Sequence, residues 1–303
     1  MRGFFGIIKR NMSVYFKDIH AVIFSLLTSI IVFVLYLLFI KGTFVNGLTE
    51  ASKGLEDFIT SGDIEMFSNG FLLTGIMGSA LITISYSCAS IFVKDRETRV
   101  EDDVLTTPIR RAQIAASYYA SSAICSFIMT SIIFTVGLLM IKANGDIYMT
   151  AGDVACAYGL VFLGSVSATA FFMVVVTFFK SVSASSAFYG ILSAASGFVI
   201  GAYIPISEFS VGVKTFCNIF PASHVTVMFR NVMLNGILNH MNEKIAGLDN
   251  GAFVDAVKEA FTFQATLGEK AFSMVNSGVY VAIIAAVCSV VCMVIYSKNY
   301  KRV

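Results

Sequence analysis

Long apolar runs separated by short polar stretches govern this chain. Six runs carry no Asp, Glu, Lys or Arg: Ala21–Ile40, Met66–Val93, Ala112–Ile141, Val154–Phe179, Ser181–Ser207 and Ala271–Tyr296. A helix crosses a bilayer core in about 20 apolar residues. A charge at the centre of such a helix costs about 2.5–3.5 kcal/mol even on lenient insertion scales. The pattern therefore predicts an all-α membrane protein with six transmembrane helices, near 21–40, 70–93, 112–141, 154–179, 183–204 and 276–297. Several runs exceed the required length, which implies tilt or ends outside the lipid.

A different periodicity precedes the first run. In residues 1–20, Phe4, Phe5, Ile8, Met12, Tyr15, Phe16 and Ile19 fall on one helical arc, and Arg2, Lys9, Arg10, Ser13 and Lys17 fall on the next. This is the pattern of an amphipathic helix lying in the membrane interface with its cations toward anionic headgroups. It serves as a topology anchor or as a lever coupled to a cytoplasmic partner. No short apolar core leads to a small-residue cleavage site, so it does not read as a cleaved signal.

Composition supports the assignment. The 303 residues are 57% hydrophobic and 13% charged, against about 25% charged in soluble domains. Placement of charge sets the orientation. Most of the 21 Lys and Arg lie at the two termini, in the stretch 94–111 and at Lys180. The loop after the first span carries Lys41 and Lys53 against Glu50, Glu56, Asp57, Asp63 and Glu65. The positive-inside rule then makes both termini and the 94–111 loop cytoplasmic in a multi-pass cell-membrane protein, and 205–270 an extracellular loop. Residues 21–297 form one membrane domain with no soluble domain attached. The six Cys suggest neither a disulfide framework nor a zinc site. Five lie in apolar runs and read as small buried hydrophobes.

Some chemistry is missing. No G-x-x-x-x-G-K-[ST] loop occurs, so the chain has no phosphate-binding loop of that kind for ATP. His20, His224 and His240 lie outside the spans, and no acid lies deep within one. That argues against an intramembrane protease or metalloenzyme and against a proton-coupled carrier. A sodium-coupled carrier using carbonyls and hydroxyls stays open. No metal or nucleic-acid site is expected. Small and hydroxylated residues are frequent: Ser79, Thr83 and Tyr86 in the second span, and Ser186, Tyr189, Ser193, Gly197 and Gly201 in the fifth. They allow close helix packing, and they also suit a polar-tolerant path or a dimer face.

The densest charge in the first half is VKDRETRVEDDVLTTPIRR, Val93–Arg111. Asp95, Arg96 and Glu97 open a helix-like pattern, Arg99 is spaced to pair with Asp95 or Asp103, and Pro108 closes it. So short a helix needs support from its surroundings or from a partner.

This segment resembles the one between the second and third spans of the ABC-2 family, the membrane subunits of ATP-binding cassette exporters. Asp95-Arg96-Glu97 matches the acid–Arg–Glu start, Asp102 the later acid, Val104-Leu105 the Leu pair, and Thr107-Pro108-Ile109 with Arg111 the end. Arg99 departs from the family's usual Gly, and Tyr118 from a common Lys. A second resemblance covers Gly201–Gly236, where Gly201-Ala202, Pro205, Asn218, Pro221, Arg230 and Gly236 match the stretch after the family's fifth span.

The resemblance implies a half-transporter whose large extracellular loop carries short re-entrant helices broken at Pro205 and Pro221. It implies a second permease subunit, identical or related, and a separate ATPase subunit that binds ATP and Mg. This chain would bind no cofactor and catalyse nothing. The ATPase would touch Asp95, Arg96, Glu97, Arg99, Asp102, Val104, Leu105, Pro108 and Arg111, together with Lys9 and Lys17. Spans two and five would line the path. An ATP-independent carrier or channel, or a non-transporting membrane scaffold or immunity protein, is the alternative.

The topology yields the first prediction. In a background without the native Cys, Asp102→Cys is expected to react with an impermeant maleimide only after permeabilisation. Asp255→Cys is expected to react in intact cells. Labelling of residue 102 from outside would reverse the orientation.

Overall fold

The computed structural model describes residues 2–52, 58–245, 249–268 and 270–299. Lys53, Glu56, Asp57, Lys301 and Arg302, which entered the charge reading, lie outside the described residues. Among the described residues the protein is all-α apart from one small hairpin.

Helix α1 (Arg2–Lys17) meets α2 (Ile19–Leu35) at a 70° bend. Asp18 makes the corner: its carboxylate accepts from the Ala21 N–H at 3.2 Å and from Lys94 Nζ at 3.0 Å. The Lys94 hydrogen bond, with that backbone N–H behind it, holds Asp18 below the usual carboxylate range. Helix α2 runs through a π-helical turn, Tyr36–Ile40, into α3 (Lys41–Ala51). Lys41–Ala51, at the start of the loop expected after the first span, is thus helical.

Helix α4 (Ser61–Ala89) bends slightly at Ser90 and continues as α5 (Ile91–Glu97). After α6 (Val100–Leu105) come α7 (Arg111–Asn144), α8 (Ala151–Val176) and α9 (Val182–Val199). Four short helices follow: α10 (Val211–Ile219), α11 (Pro221–Met233), α12 (Asn235–Ile245) and α13 (Ala252–Ala260). Strands β1 (Ala265–Leu267) and β2 (Lys270–Phe272) pair antiparallel before α14 (Met274–Asn299). Among the described residues five helices are long and apolar enough to cross a membrane, or six if the bent α1–α2 pair counts as one.

Local chemistry sets the helix starts. Thr60 and Asp63 form a reciprocal cap on α4, and Thr150 and Asp153 do the same on α8. Ser181 caps α9 by accepting from the Ala184 N–H at 3.3 Å.

Helix α4 is the centre of the bundle, and 89% of an 18-residue apolar stretch along it is buried. It packs against α2, α7, α8, α9 and α11, as expected of a helix apolar on every side. Its glycines admit these neighbours: a Cβ on Gly78 would lie 2.0 Å from Thr226 Oγ1, and one on Gly75 would lie 2.7 Å from Ala202 Cβ. Helix α11 begins with Pro221 at its first position and is buried from Pro221 through Arg230, packed on α4, α8 and α14. Phe220, at the turn between α10 and α11, meets Phe171 in the C-terminal half of α8. From there α11 runs antiparallel to α4, with Thr226 beside Gly78 and Leu234 beside Gly70, toward the end where α4 starts. Helix α12 meets α4 at that end, which is here termed the cap. The opposite end carries α1, α5 and α6, here termed the elbow.

Two expectations change. Cys156 is exposed and Cys288 only partly buried, because α8 and α14 turn those positions outward. Residues 94–111 are not one helix. The chain turns at Arg99, which adopts the left-handed conformation (φ 60°), so the segment splits into α5 and α6.

Gly236, at the start of α12, lies under the backbone of Tyr148: a Cβ there would be 2.2 Å from the Tyr148 carbonyl oxygen. Backbone cannot swing aside as a side chain can. Gly236→Ala is therefore expected to destabilise the protein by about 1–3 kcal/mol, measured as a lower Tm of the detergent-solubilised protein, whereas Gly212→Ala, with open space around it, should change little.

Candidate functional site

The elbow is built from three consecutive residues that point in three directions. Asp95 is buried. Its carboxylate accepts from both terminal nitrogens of Arg10 on α1, one of them at 2.9 Å, and from the Tyr118 hydroxyl of α7 at 2.6 Å. That hydrogen bond to Asp95 holds the Arg10 guanidinium more firmly protonated than usual. Arg96 turns the other way. Its Nη1 donates to the carbonyls of Thr177 (2.9 Å) and Phe179 (3.0 Å), where α8 ends. Its guanidinium lies 4.6 Å above the Phe92 ring, and its Nε is 3.5 Å from Glu101. Glu97 accepts from the Val182 N–H at 2.8 Å, at the first turn of α9. A cation thus meets a helix C-terminus and an anion meets a helix N-terminus, the signs that the helix dipole favours.

The two departures in this segment acquire physical reasons. Arg99 occupies a left-handed position, the conformation that glycine adopts without strain. Tyr118 gives Asp95 a hydrogen bond but no charge, and Arg10 from α1 supplies the cation. Arg10 was not among the expected site residues. Its cationic spacing in an amphipathic stretch reads equally well as contact with headgroups, so only the fold reveals its partner.

The remaining elbow residues divide by exposure. Arg99, Asp102 and Pro108 are exposed, as are Lys9 and Lys17 on α1, while Val104, Leu105 and Arg111 are half-buried. Val104 and Leu105 pack against the core.

At the other end Arg230 is completely buried. Its Nη2 donates to the carbonyls of Ile200 (3.1 Å) and Gly201 (3.0 Å), and its Nη1 to those of Phe261 and Thr262 (3.0 Å each). These carbonyls lie just past the last turns of α9 and α13. Both helices end in the same way. Ala202 N–H returns to Gly197 O at 2.8 Å across Gly201 (φ 68°), and Phe263 N–H returns to Lys258 O at 3.0 Å across Thr262 (φ 55°). These are Schellman closures. No carboxylate faces Arg230 in these bonds; the negative ends of two helices do. Pro205 leads into the 3₁₀ turn Ile206–Glu208, whose Ser207 N–H donates to Thr262 Oγ1 at 3.1 Å.

A family model described as ABC-2 family transporter protein matches residues 49–297. The chain belongs to the ABC-2 transporter family. No curated protein matches it significantly.

In this ABC-2 transporter the expected path residues separate into two groups. Ser79, Thr83 and Tyr86 are buried. Ser79 bonds Ser196 at 2.7 Å, and Tyr86 Oη donates to the Ser185 carbonyl at 3.1 Å. Ser79 and Tyr86 thus join α4 to α9, while Thr83 donates to the Ser79 carbonyl of its own helix at 3.0 Å. Gly197 and Gly201 are also buried, and they form the closure of α9 rather than a flat face for another helix. Ser186 is exposed, and Tyr189 and Ser193 are half-buried, Ser193 bonding Thr28 of α2 at 2.8 Å. Beside them an open groove of about 540 Å³ runs between α2 and α9, lined by Thr28, Ile31, Gly190, Ser193, Ala194 and Phe198 among others.

The elbow geometry makes a stability prediction. Removing one partner of a buried pair costs about 3–5 kcal/mol, but Arg10 is 35% exposed, so water offsets part of the loss. Arg10→Ala is expected to cost about 2 kcal/mol by thermal unfolding. Arg10→Ala with Asp95→Asn should cost less than the sum of the two single changes, and additive losses would mean that the two residues do not act together.

Proposed function

We propose that this chain is the membrane-spanning permease subunit of an ATP-driven exporter, embedded in the cell membrane with both termini in the cytoplasm. A separate ATP-binding cassette subunit hydrolyses ATP with Mg, and this chain holds no cofactor. The elbow carries the proposal. Buried Asp95, half-buried Arg96 and exposed Glu97 fasten α5 to α1, α7, α8 and α9, while Arg99, Asp102 and Pro108 stay exposed at its tip. A soluble partner that grips the tip and α1 near Lys9 and Lys17 would move four helices at once. Mechanical coupling of this kind requires a rigid connection behind an accessible handle.

A second permease subunit, identical or related, would cover the open α2–α9 face, where Ser186, Tyr189 and Ser193 meet small residues such as Gly190 and Ala194. Small residues let helices approach closely in lipid. The path would then lie between the two copies along α9, with cargo moving outward.

Co-purification tests the partner: a stoichiometric nucleotide-binding subunit should accompany the native protein. For coupling, Glu97→Ala with Asp102→Ala is expected to leave membrane insertion intact while export falls roughly tenfold relative to ATP hydrolysis. Unchanged export per ATP in that variant would remove the elbow from the coupling route.

A further inference from the structure

A second groove lies away from the α2–α9 face, at the cap end of the bundle between α2, α4 and α7. It holds about 280 Å³. Helix α4 lines it with a stripe that includes Glu65, Asn69, Leu73 and Ile76, and α7 with Gly137, Met140, Ile141 and Asn144. Along both stripes polarity changes in the same direction. Glu65, Asn69 and Asn144 sit toward the helix ends at the cap, Lys41 joins them from α3, and the deeper positions are apolar. From Glu65 to Ile76 the helix rises about 16 Å, close to half of a hydrocarbon core about 30 Å thick. The groove thus has the length and polarity of one leaflet. Met140 at its rim is 46% exposed.

The polar end holds two opposite charges, because Lys41 Nζ pairs with Glu65. An anionic headgroup could satisfy Lys41 only by facing Glu65 with like charge. A zwitterionic headgroup can exchange the pair for two new ones, and a primary ammonium donates to a carboxylate where a trimethylated one cannot.

We propose that this groove holds one acyl chain of an amine-bearing zwitterionic phospholipid, with its phosphate on Lys41 and its ammonium on Glu65. The site needs only the membrane-spanning fold and stands independently of the ATPase reading.

The absence of Trp from the chain provides the test. Met140→Trp introduces a single Trp at the groove, excited where Tyr does not absorb. Ile132→Trp introduces one on the same helix at a position 50% exposed that does not line the groove. Each full-length variant is reconstituted in phosphatidylcholine vesicles containing equal fractions of brominated phosphatidylethanolamine, phosphatidylglycerol or phosphatidylcholine. At Met140→Trp the brominated ethanolamine lipid should quench about threefold more than the other two, and at Ile132→Trp all three should quench alike. Adding Glu65→Gln, at a side chain 52% exposed, should abolish the excess. Asn144→Trp gives the same readout if Met140→Trp does not fold. Equal quenching by the three lipids at the groove, or an excess that survives Glu65→Gln, would overturn the proposal and leave ordinary boundary lipid.

Discussion

Helix ends that stop inside a low-dielectric bundle carry the heaviest constraint on this molecule. The last carbonyls and first N–H groups of a helix have no partners within it, and hydrocarbon offers none. A protein of long spans meets this problem wherever a helix stops short of water. Arg230 answers it deep in the bundle, at the ends of α9 and α13, and Arg96 at the half-buried end of α8, while Glu97 adds a hydrogen bond at the more exposed start of α9. The two arginines hold backbone carbonyls that no other group could reach as a fork. Removing Arg230 would leave four carbonyls without their donor, and removing Arg96 would leave two and take the cation from beside Glu101.

The same constraint explains why the few charges in so apolar a chain cluster in sequence. Asp95, Arg96 and Glu97 are adjacent, yet they serve α1 and α7, α8, and α9 respectively. Successive helical side chains project about 100° apart, so three neighbours can reach three sides of one helix end. The elbow is a node because α5 continues the central helix. The most buried element of the bundle extends directly into the segment that gathers its neighbours.

Much of this was legible in the sequence. The spans could be read because the cost of an intramembrane charge is large and leaves clean apolar runs, such as the one that ends at Val93 and the one that begins at Ala112. The resemblance over Gly201–Gly236, with its break at Pro221, marked the re-entrant stretch that holds α11. Other features were hidden for physical reasons. A left-handed Arg99 leaves no trace in residue type, so the elbow read as one helix. The Gly197–Gly201 spacing suits either a packing face or a helix closure, and only the positive φ of Gly201 distinguishes them. The hairpin at Ala265–Phe272 has strands of three residues each, too short for an alternating pattern. Arg10 looked like any interfacial cation until Asp95 was placed beside it.

Helix α9 illustrates what these attachments permit. Glu97 holds its first turn and Arg230 its last, each from a different end of the bundle, and Ser79 and Tyr86 fasten its inner side between them. A rod pinned at both tips cannot slide along its length. It can only roll or bow, so any widening beside α9 must be a sideways flexure that returns elastically once the load is released.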